Sequence, residues 1–76
     1  MPLETLLEPR HHLEERVEQE VRSRTTGRIR GLQVRVLNGQ VVITGRTSTY
    51  YAKQLVTHAA LESAEQLSVM NEVEVC

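Results

Sequence analysis

Several residue types are missing from this sequence or nearly so. It contains no aspartate, phenylalanine or tryptophan, and it has one cysteine, two tyrosines, two prolines and four glycines. Because all ten acidic residues are glutamates, half of the usual carboxylate types for acid–base or metal chemistry are absent. Cys76 alone can form neither an internal disulfide nor a thiolate metal cluster. With two tyrosines as the only aromatic residues, the chain has few side chains on which nucleic-acid bases could stack.

The length of 76 residues predicts one domain with a thin core, since a chain of this size buries only roughly 60% of its unfolded surface. Such a core leaves no room for a deep catalytic cavity. No stretch approaches the roughly 20 apolar residues that a membrane-spanning helix requires, and the start lacks the basic-then-apolar order of a secretory signal. We therefore expect a soluble protein in the cytoplasm.

The net charge of −1 is unevenly distributed along the chain. Residues 1–20 have a balance of −4, and residues 62–76 have the same balance. Residues 21–61 have a balance of +7 and contain no acidic residue. The middle of the chain is therefore basic, and both ends are acidic.

The strongest local signal is Asn38-Gly39, which separates two runs of alternating apolar and polar residues. A type I′ turn needs positive φ at both central residues, which Asn tolerates and Gly adopts freely. A hairpin closed at this turn places Leu32 opposite Gly45. One face of the hairpin is then apolar and needs a cover, because a lone hairpin is marginal in water. That face consists of Leu32, Val34, Val36, Val41 and Ile43.

The stretch before the hairpin has helical periodicity. From Pro9 onward, apolar residues recur every four positions, which predicts an amphipathic helix. These residues are Leu13, Val17 and Val21. The run Thr25-Thr26-Gly27 should end the helix. Residues 1–8 are predicted to form a flexible N-terminal arm, or a short helix that docks on a partner, outside a single domain of residues 9–76.

The stretch after the hairpin predicts a second helix and then a third strand. Hydroxyl side chains at residues 47–49 can cap a helix that ends near Ser63. Its apolar face consists of Tyr51, Ala52, Leu55, Val56 and Ala59. Alternation over residues 69–75 predicts a strand that is parallel to the second strand if the two are neighbours. The order αββαβ predicts an α+β fold, a two-layer sandwich with both helices on one face of a three-stranded mixed sheet.

The ordered set of hairpin, helix and third-strand residues resembles a BON domain, a small module first noted in bacterial osmotically induced and nodulation proteins. The similarity covers about Leu13 to Val75. It rests on Val34-x-Val36-x-Asn38-Gly39-x-Val41-x-Ile43-x-Gly45, on Ser48, on Ala52 and Ala59, and on Val69-x-Asn71-x-Val73-x-Val75. The chain departs from the family pattern at Glu65-Gln66-Leu67, where a Gly-Val pair is common, and at Thr47, where a valine is usual.

The resemblance implies an αββαβ sandwich and a binding module without catalytic activity or cofactor. Family members are associated with phospholipid surfaces of the cell envelope, with secretins and small-conductance channels, and in some cases with other proteins or small ligands. Most are exported to the periplasm or envelope, or are parts of larger chains. Since the present sequence shows neither feature, the resemblance favours a protein partner over a membrane surface.

The titratable residues show no catalytic or metal-binding pattern. His11 and His12 are adjacent on the predicted helix and point about 100° apart, so they cannot chelate one ion together. His58 has no second ligand at metal-binding spacing. Ser48 and Thr49 are explained as helix caps. The sequence therefore predicts a protein that is not an enzyme and that binds no metal or cofactor.

A group of arginines is the first candidate binding site. Guanidinium groups bind phosphate bidentately, so four of them together could hold an anionic lipid headgroup or a phosphate. The four are Arg22, Arg24, Arg28 and Arg30. Glutamates one turn before Arg22 and Arg24 favour the alternative, a solvated basic rim. Nucleic acid is disfavoured, because Gly27 and Gly31 lie between a helix and a strand and not in the G-x-x-G loop of KH modules.

The sheet face away from the helices is the second candidate. Its predicted residues are Gln33, Arg35, Val42, Thr44, Met70, Glu72 and Glu74. Small domains associate through such a mixed face or through the free backbone groups of an edge strand, although Val42 and Met70 are equally compatible with scattered surface residues. Tyr50 is a further candidate anchor, whereas Tyr51 is expected in the core. We therefore expect association with another protein or with a second copy, and anionic phospholipid or phosphate binding as the alternative.

Overall fold

The computed structural model describes residues 9–76, so the predicted arm of residues 1–8 lies outside the described part. The elements are α1 (Pro9–Thr25), β1 (Arg30–Leu37), β2 (Gln40–Thr47), α2 (Tyr50–Ser63) and β3 (Ser68–Val75). The sheet order is β1-β2-β3, with β1 and β2 antiparallel and β2 and β3 parallel. Both helices pack on one face of this mixed sheet. The predicted α+β sandwich is confirmed.

The hairpin between β1 and β2 has the predicted turn. Asn38 and Gly39 have φ values of +52° and +76°, as a type I′ turn requires. Leu37 pairs with Gln40, and the predicted register continues to Gln33. This agreement places every second residue of both strands on the helical side, where the apolar set lies buried.

Gly39→Ala is expected to lower the free energy of unfolding by about 1 kcal/mol, since an L residue is strained at positive φ. A Cβ on Gly39 would meet no other atom within 4 Å, so the whole effect comes from the backbone. Urea unfolding followed by circular dichroism measures it. An unchanged midpoint would contradict the type I′ geometry.

The start of β1 departs from the predicted pairing. Gly31 and Leu32 together lie opposite the single Gly45 of β2, so the predicted one-to-one pairing of Leu32 with Gly45 is wrong. Gly31 has a φ of +62°, which is typical of the first residue of a G1 bulge. The extra residue shifts the alternation of side chains, so that Ile29 is buried and Arg30 is exposed.

One continuous core lies between the helices and the sheet. Its largest side chains are fully excluded from solvent, and they come from both helices and from β2 and β3. Those residues include Val17, Val21, Val41, Ile43, Val56 and Val73. Alanines at the inward positions of α2 are also fully buried, which lets this helix lie close to its neighbours. The core thus uses small and β-branched residues in place of the missing large aromatics.

The prediction that Tyr51 lies in the core is wrong, because its side chain is 66% exposed. The inward face of α2 begins one residue later, at Ala52, and continues through Val56 and Ala59. Successive helix residues point about 100° apart, so the position before Ala52 is turned away from the sheet. Val75, at the end of the third strand, is likewise exposed and lies outside the core.

The end of α1 is a Schellman turn formed by a threonine. Gly27 N donates to Arg22 O at 3.3 Å, and Thr26 between them has a φ of +49°. This left-handed position is usually occupied by glycine, because it strains other residues by about 1–2 kcal/mol. The preceding Thr25 is buried and donates its hydroxyl to Val21 O at 2.7 Å.

Thr26→Gly is expected to raise the free energy of unfolding by about 0.5 kcal/mol. Relief of the positive φ outweighs the greater chain entropy of glycine in the unfolded state and the lost hydroxyl bond to Thr25 O. Chemical denaturation provides the measurement. Thr26→Ala is the control, since it removes the same hydroxyl but keeps the strain, and it should not stabilise. A less stable glycine variant would contradict the strain argument.

Candidate functional site: the open face of the sheet

The face of the sheet opposite the helices has no helix of the described chain lying over it. Register pairing places one residue from each strand side by side at every level. From the hairpin outward, the levels are Leu37-Gln40-Ser68, Arg35-Val42-Met70, Gln33-Thr44-Glu72 and Arg30-Arg46-Glu74. We name these residues the open face. Met70 is 40% exposed and Val42 is half-buried, so an apolar centre contacts solvent.

The charges of the open face are sorted by strand. Arg30 and Arg35 lie on β1, and Glu72 and Glu74 lie on β3. On the central strand, Arg46 Nε is 3.7 Å from Glu74 Oε1, and both side chains are more than 70% exposed. Such an exposed pair adds little stability. The face is therefore positive along one edge strand and negative along the other, with the apolar centre between them.

Each edge of the sheet has an outward-pointing amide that is already occupied by a side chain. On β1, Val36 N donates to Glu14 Oε2 of α1 at 2.8 Å. On β3, Val73 N donates to Asn71 Oδ1 at 3.0 Å. A strand added at either edge would need these amides for its own hydrogen-bond ladder. Addition of a strand at either edge would therefore have to break one of these hydrogen bonds.

The structure divides the four arginines of the first candidate site. Arg22 donates to Glu18 Oε2 at 2.7 Å, and Arg24 Nε lies 3.1 Å from Glu20 Oε2. Arg24 also donates to Glu62 of α2. Glu62 first, and then Glu20, raise the pKa of Arg24 above its ordinary value. Both arginines are thus already bound to carboxylates.

Arg28 and Arg30 make no ion pair with any residue between 9 and 76. Arg30 is the cross-strand partner of Arg46, a like-charge pairing that disfavours the sheet locally. Arg30 and Arg46 line a cleft of about 220 Å³, which is also lined by Thr47, Ser48 and Cys76. Of the four arginines, Arg28 and Arg30 are thus the two without an ion pair to a described residue, and Arg30 lies with Arg46 at the far end of the open face.

Comparison with protein-family models, with curated proteins and with solved structures found no match. The BON resemblance therefore stays a prediction from residue pattern. The element order and the parallel pairing of β2 with β3 are compatible with the fold that the resemblance implies. At one of the two departures from the family pattern, Glu65 has a φ of +61°, a conformation that a glycine would adopt without strain.

The remaining predicted site residues lie apart from the open face. Tyr50 is 64% exposed in the first turn of α2, on the helical side of the sheet. Asn38 and Gly39 form the hairpin turn, and Gly45 is held against the core side of β1. His58 is exposed on α2, and within residues 9–76 no three potential ligands are grouped to hold a metal ion. No described helix is long and apolar enough to cross a membrane.

Three residues with clear roles are not among the predicted site residues. Glu14 holds an amide of β1, Asn71 links β3 to α2, and Arg46 joins the charged end of the open face. A signal exists for two of them. Asn71 is the one polar residue at an inward position of the pattern 69–75, and Arg46 continues the outward alternation of Val42 and Thr44. The contact of Glu14 spans 22 positions and has no local signal.

Proposed function

We propose that this chain is a non-enzymatic binding module of BON type that associates with another protein through its open face. The observation that carries the proposal is the centre of that face, where Val42 and the 40% exposed Met70 lie beside Arg35. An apolar centre within a charged and polar rim is the usual composition of a protein interface. Sheets pack face to face through such surfaces, and most interface backbones move little on binding.

The size of the face predicts a weak and reversible complex. Three strands of eight residues cover roughly 350 Å² at standard strand spacings, whereas a stable interface uses about 800 Å² per partner. Exposed charges at the rim then contribute mainly to orientation and association rate. Binding should therefore weaken as ionic strength rises.

Site-specific photocross-linking in the full chain tests the proposal. A photoreactive residue in place of Met70 should give one discrete adduct in cells that express the protein, and the same residue in place of exposed His58 on α2 should give none. Excess unmodified chain should remove the adduct, whereas an excess of a Val42→Lys chain should not. Mass spectrometry identifies the partner. Equal labelling from both positions, or no adduct from Met70, would reject the open face as the binding surface.

A second candidate function is recognition of an anionic headgroup or phosphate at the Arg30–Arg46 cleft. The specific observation in its favour is the like-charge pairing of these arginines beside Ser48. An oxyanion between the guanidinium groups would relieve their repulsion. This proposed site keeps Arg30 of the predicted group of Arg22, Arg24, Arg28 and Arg30, and it adds Arg46.

Cosedimentation with vesicles tests the second candidate. Anionic vesicles should bind the chain at low salt and release it at raised ionic strength, and vesicles of neutral lipid should not bind it. Arg30→Gln should reduce binding, and Arg22→Gln should not, because Arg22 is already paired with Glu18. Competition by inorganic phosphate distinguishes phosphate recognition from a lipid surface. Equal binding to anionic and neutral vesicles at low salt would eliminate this candidate.

A further inference from the structure

We infer that the partner of the open face is a second copy of this chain, related by a two-fold axis that runs along the strands. The inference rests on the proposed function, because it names the partner of the same surface. It starts from the sorted charges of that surface, with arginines on β1 and glutamates on β3. A surface with both signs at opposite edges can be its own complement.

Two symmetric arrangements place one open face on another. If the two-fold axis runs across the strands, β1 lies over β1 of the other copy and arginines face arginines. If the axis runs along the strands, each β1 lies over β3 of the other copy. Arg30 and Arg35 then face the strand that carries Glu72 and Glu74, so charge selects the second arrangement.

The same axis also fixes the register of the two copies. A two-fold axis along the strands permits no shift along them. With the axis over β2, each level of the open face meets the same level of the other copy with β1 and β3 exchanged. Val42 meets Val42 at the centre, and Arg35 lies over Met70 of the other copy with Glu72 one level away. Aligned sheets pack with a rotation of about 30°, which separates the two Arg46 side chains at the far end.

Each edge strand has one amide that already donates to a side chain, and this favours face-to-face stacking over a continuous sheet between two copies. Strand-to-strand dimers need free amides along an edge, and here Val36 N and Val73 N are bound by Glu14 and Asn71. Face-to-face stacking leaves both of these hydrogen bonds intact. The small area of the face predicts a weak dimer that is populated only at high protein concentration.

Sedimentation equilibrium of the full chain from about 10 µM to about 2 mM tests the inference. The weight-average mass should rise from monomer toward dimer. Arg35→Glu and Glu72→Arg should each weaken the dimer at least about tenfold, since each places like charges together. An equimolar mixture of the two variants should recover dimerisation, because both cross-copy contacts then join opposite charges. Glu15→Arg, an exposed reversal on α1, is the control and should dimerise normally.

The outcomes separate the inference from the function on which it rests. A chain that remains monomeric over this range, or a dimer insensitive to both charge reversals, overturns the inference. If the chain is monomeric and Met70 still cross-links a different protein, the proposed function stands and the partner is not a second copy. Variant unfolding curves keep the test valid, because loss of dimer counts only for variants that remain folded.

Discussion

Gly45→Ala is expected to lower the free energy of unfolding by about 3 kcal/mol, through backbone strain and overpacking together. Gly45 has a φ of +155°, which residues with side chains rarely adopt. A Cβ on Gly45 would lie 2.7 Å from Ile29 Cγ2 and 3.1 Å from Arg30 O. Ile29 is buried and branched at Cβ, so its side chain cannot turn aside easily.

Gly39→Ala is the matched control for this prediction. Both glycines belong to β1–β2 pairing and both have positive φ, but only Gly45 has atoms in the space that a Cβ would fill. The difference between the two losses of stability therefore measures the clash with Ile29 together with the different backbone strain at the φ of +155°. Urea unfolding of both variants gives that difference. Equal losses would show that the approach of Ile29 to Gly45 is looser than described.

Asn71→Ala is expected to lower the free energy of unfolding by about 2 kcal/mol, because it removes three hydrogen bonds from a half-buried site. Asn71 Nδ2 donates to Lys53 O at 2.8 Å and to Thr57 Oγ1 at 2.7 Å. Asn71 Oδ1 accepts from Val73 N at 3.0 Å. The side chain thus attaches β3 to α2 and satisfies an amide of its own strand.

Thr57→Val provides the comparison for Asn71→Ala. It removes only the hydroxyl end of the network and should cost about 1 kcal/mol. Hydrogen exchange gives a second readout, since the amide of Val73 should lose protection in the Asn71 variant and keep it in the Thr57 variant. If Asn71→Ala lowers the free energy of unfolding no more than Thr57→Val does, the three hydrogen bonds of Asn71 are not all formed in the folded protein.

The scale of these losses follows from the size of the chain. At roughly 0.05–0.15 kcal/mol per residue, a domain of this length has only about 4–11 kcal/mol of net stability. Its core contains no phenylalanine or tryptophan, so no single large side chain supports it. Tight approaches such as that of Gly45 to Ile29, and networks such as that of Asn71, therefore matter more here than in a larger domain.

Local chemistry explains how much of the fold was predictable. The Asn38-Gly39 turn sets the pairing next to it, and the apolar periods of two helices and a third strand set the layers. The bulge at Gly31 was missed because a glycine before a strand has several interpretations. Tyr51 was misplaced because a run of apolar residues does not tell where the covered part of a helix begins.

The candidate site was less predictable than the fold, because some of its contacts join residues that lie far apart in the sequence. The pairs of Arg22 with Glu18 and of Arg24 with Glu20 were visible as neighbours four residues apart. The bond from Arg24 to Glu62 spans 38 positions and has no such signal. It pairs Arg24 with α2, while Arg30 lies with Arg46 at the far end of the open face, so the predicted arginine group is divided.

The sequence by itself determined the element order, the hairpin turn and which strand residues point outward, because turn chemistry and side-chain alternation act between near neighbours. Tertiary structure alone decided which charges are already paired, which edge amides are occupied and how arginines and glutamates are sorted on the open face. Those features depend on strands and helices brought together from distant positions. The sorting of the charges follows from the docking of β3 beside β2, which sets a negative edge opposite the positive one.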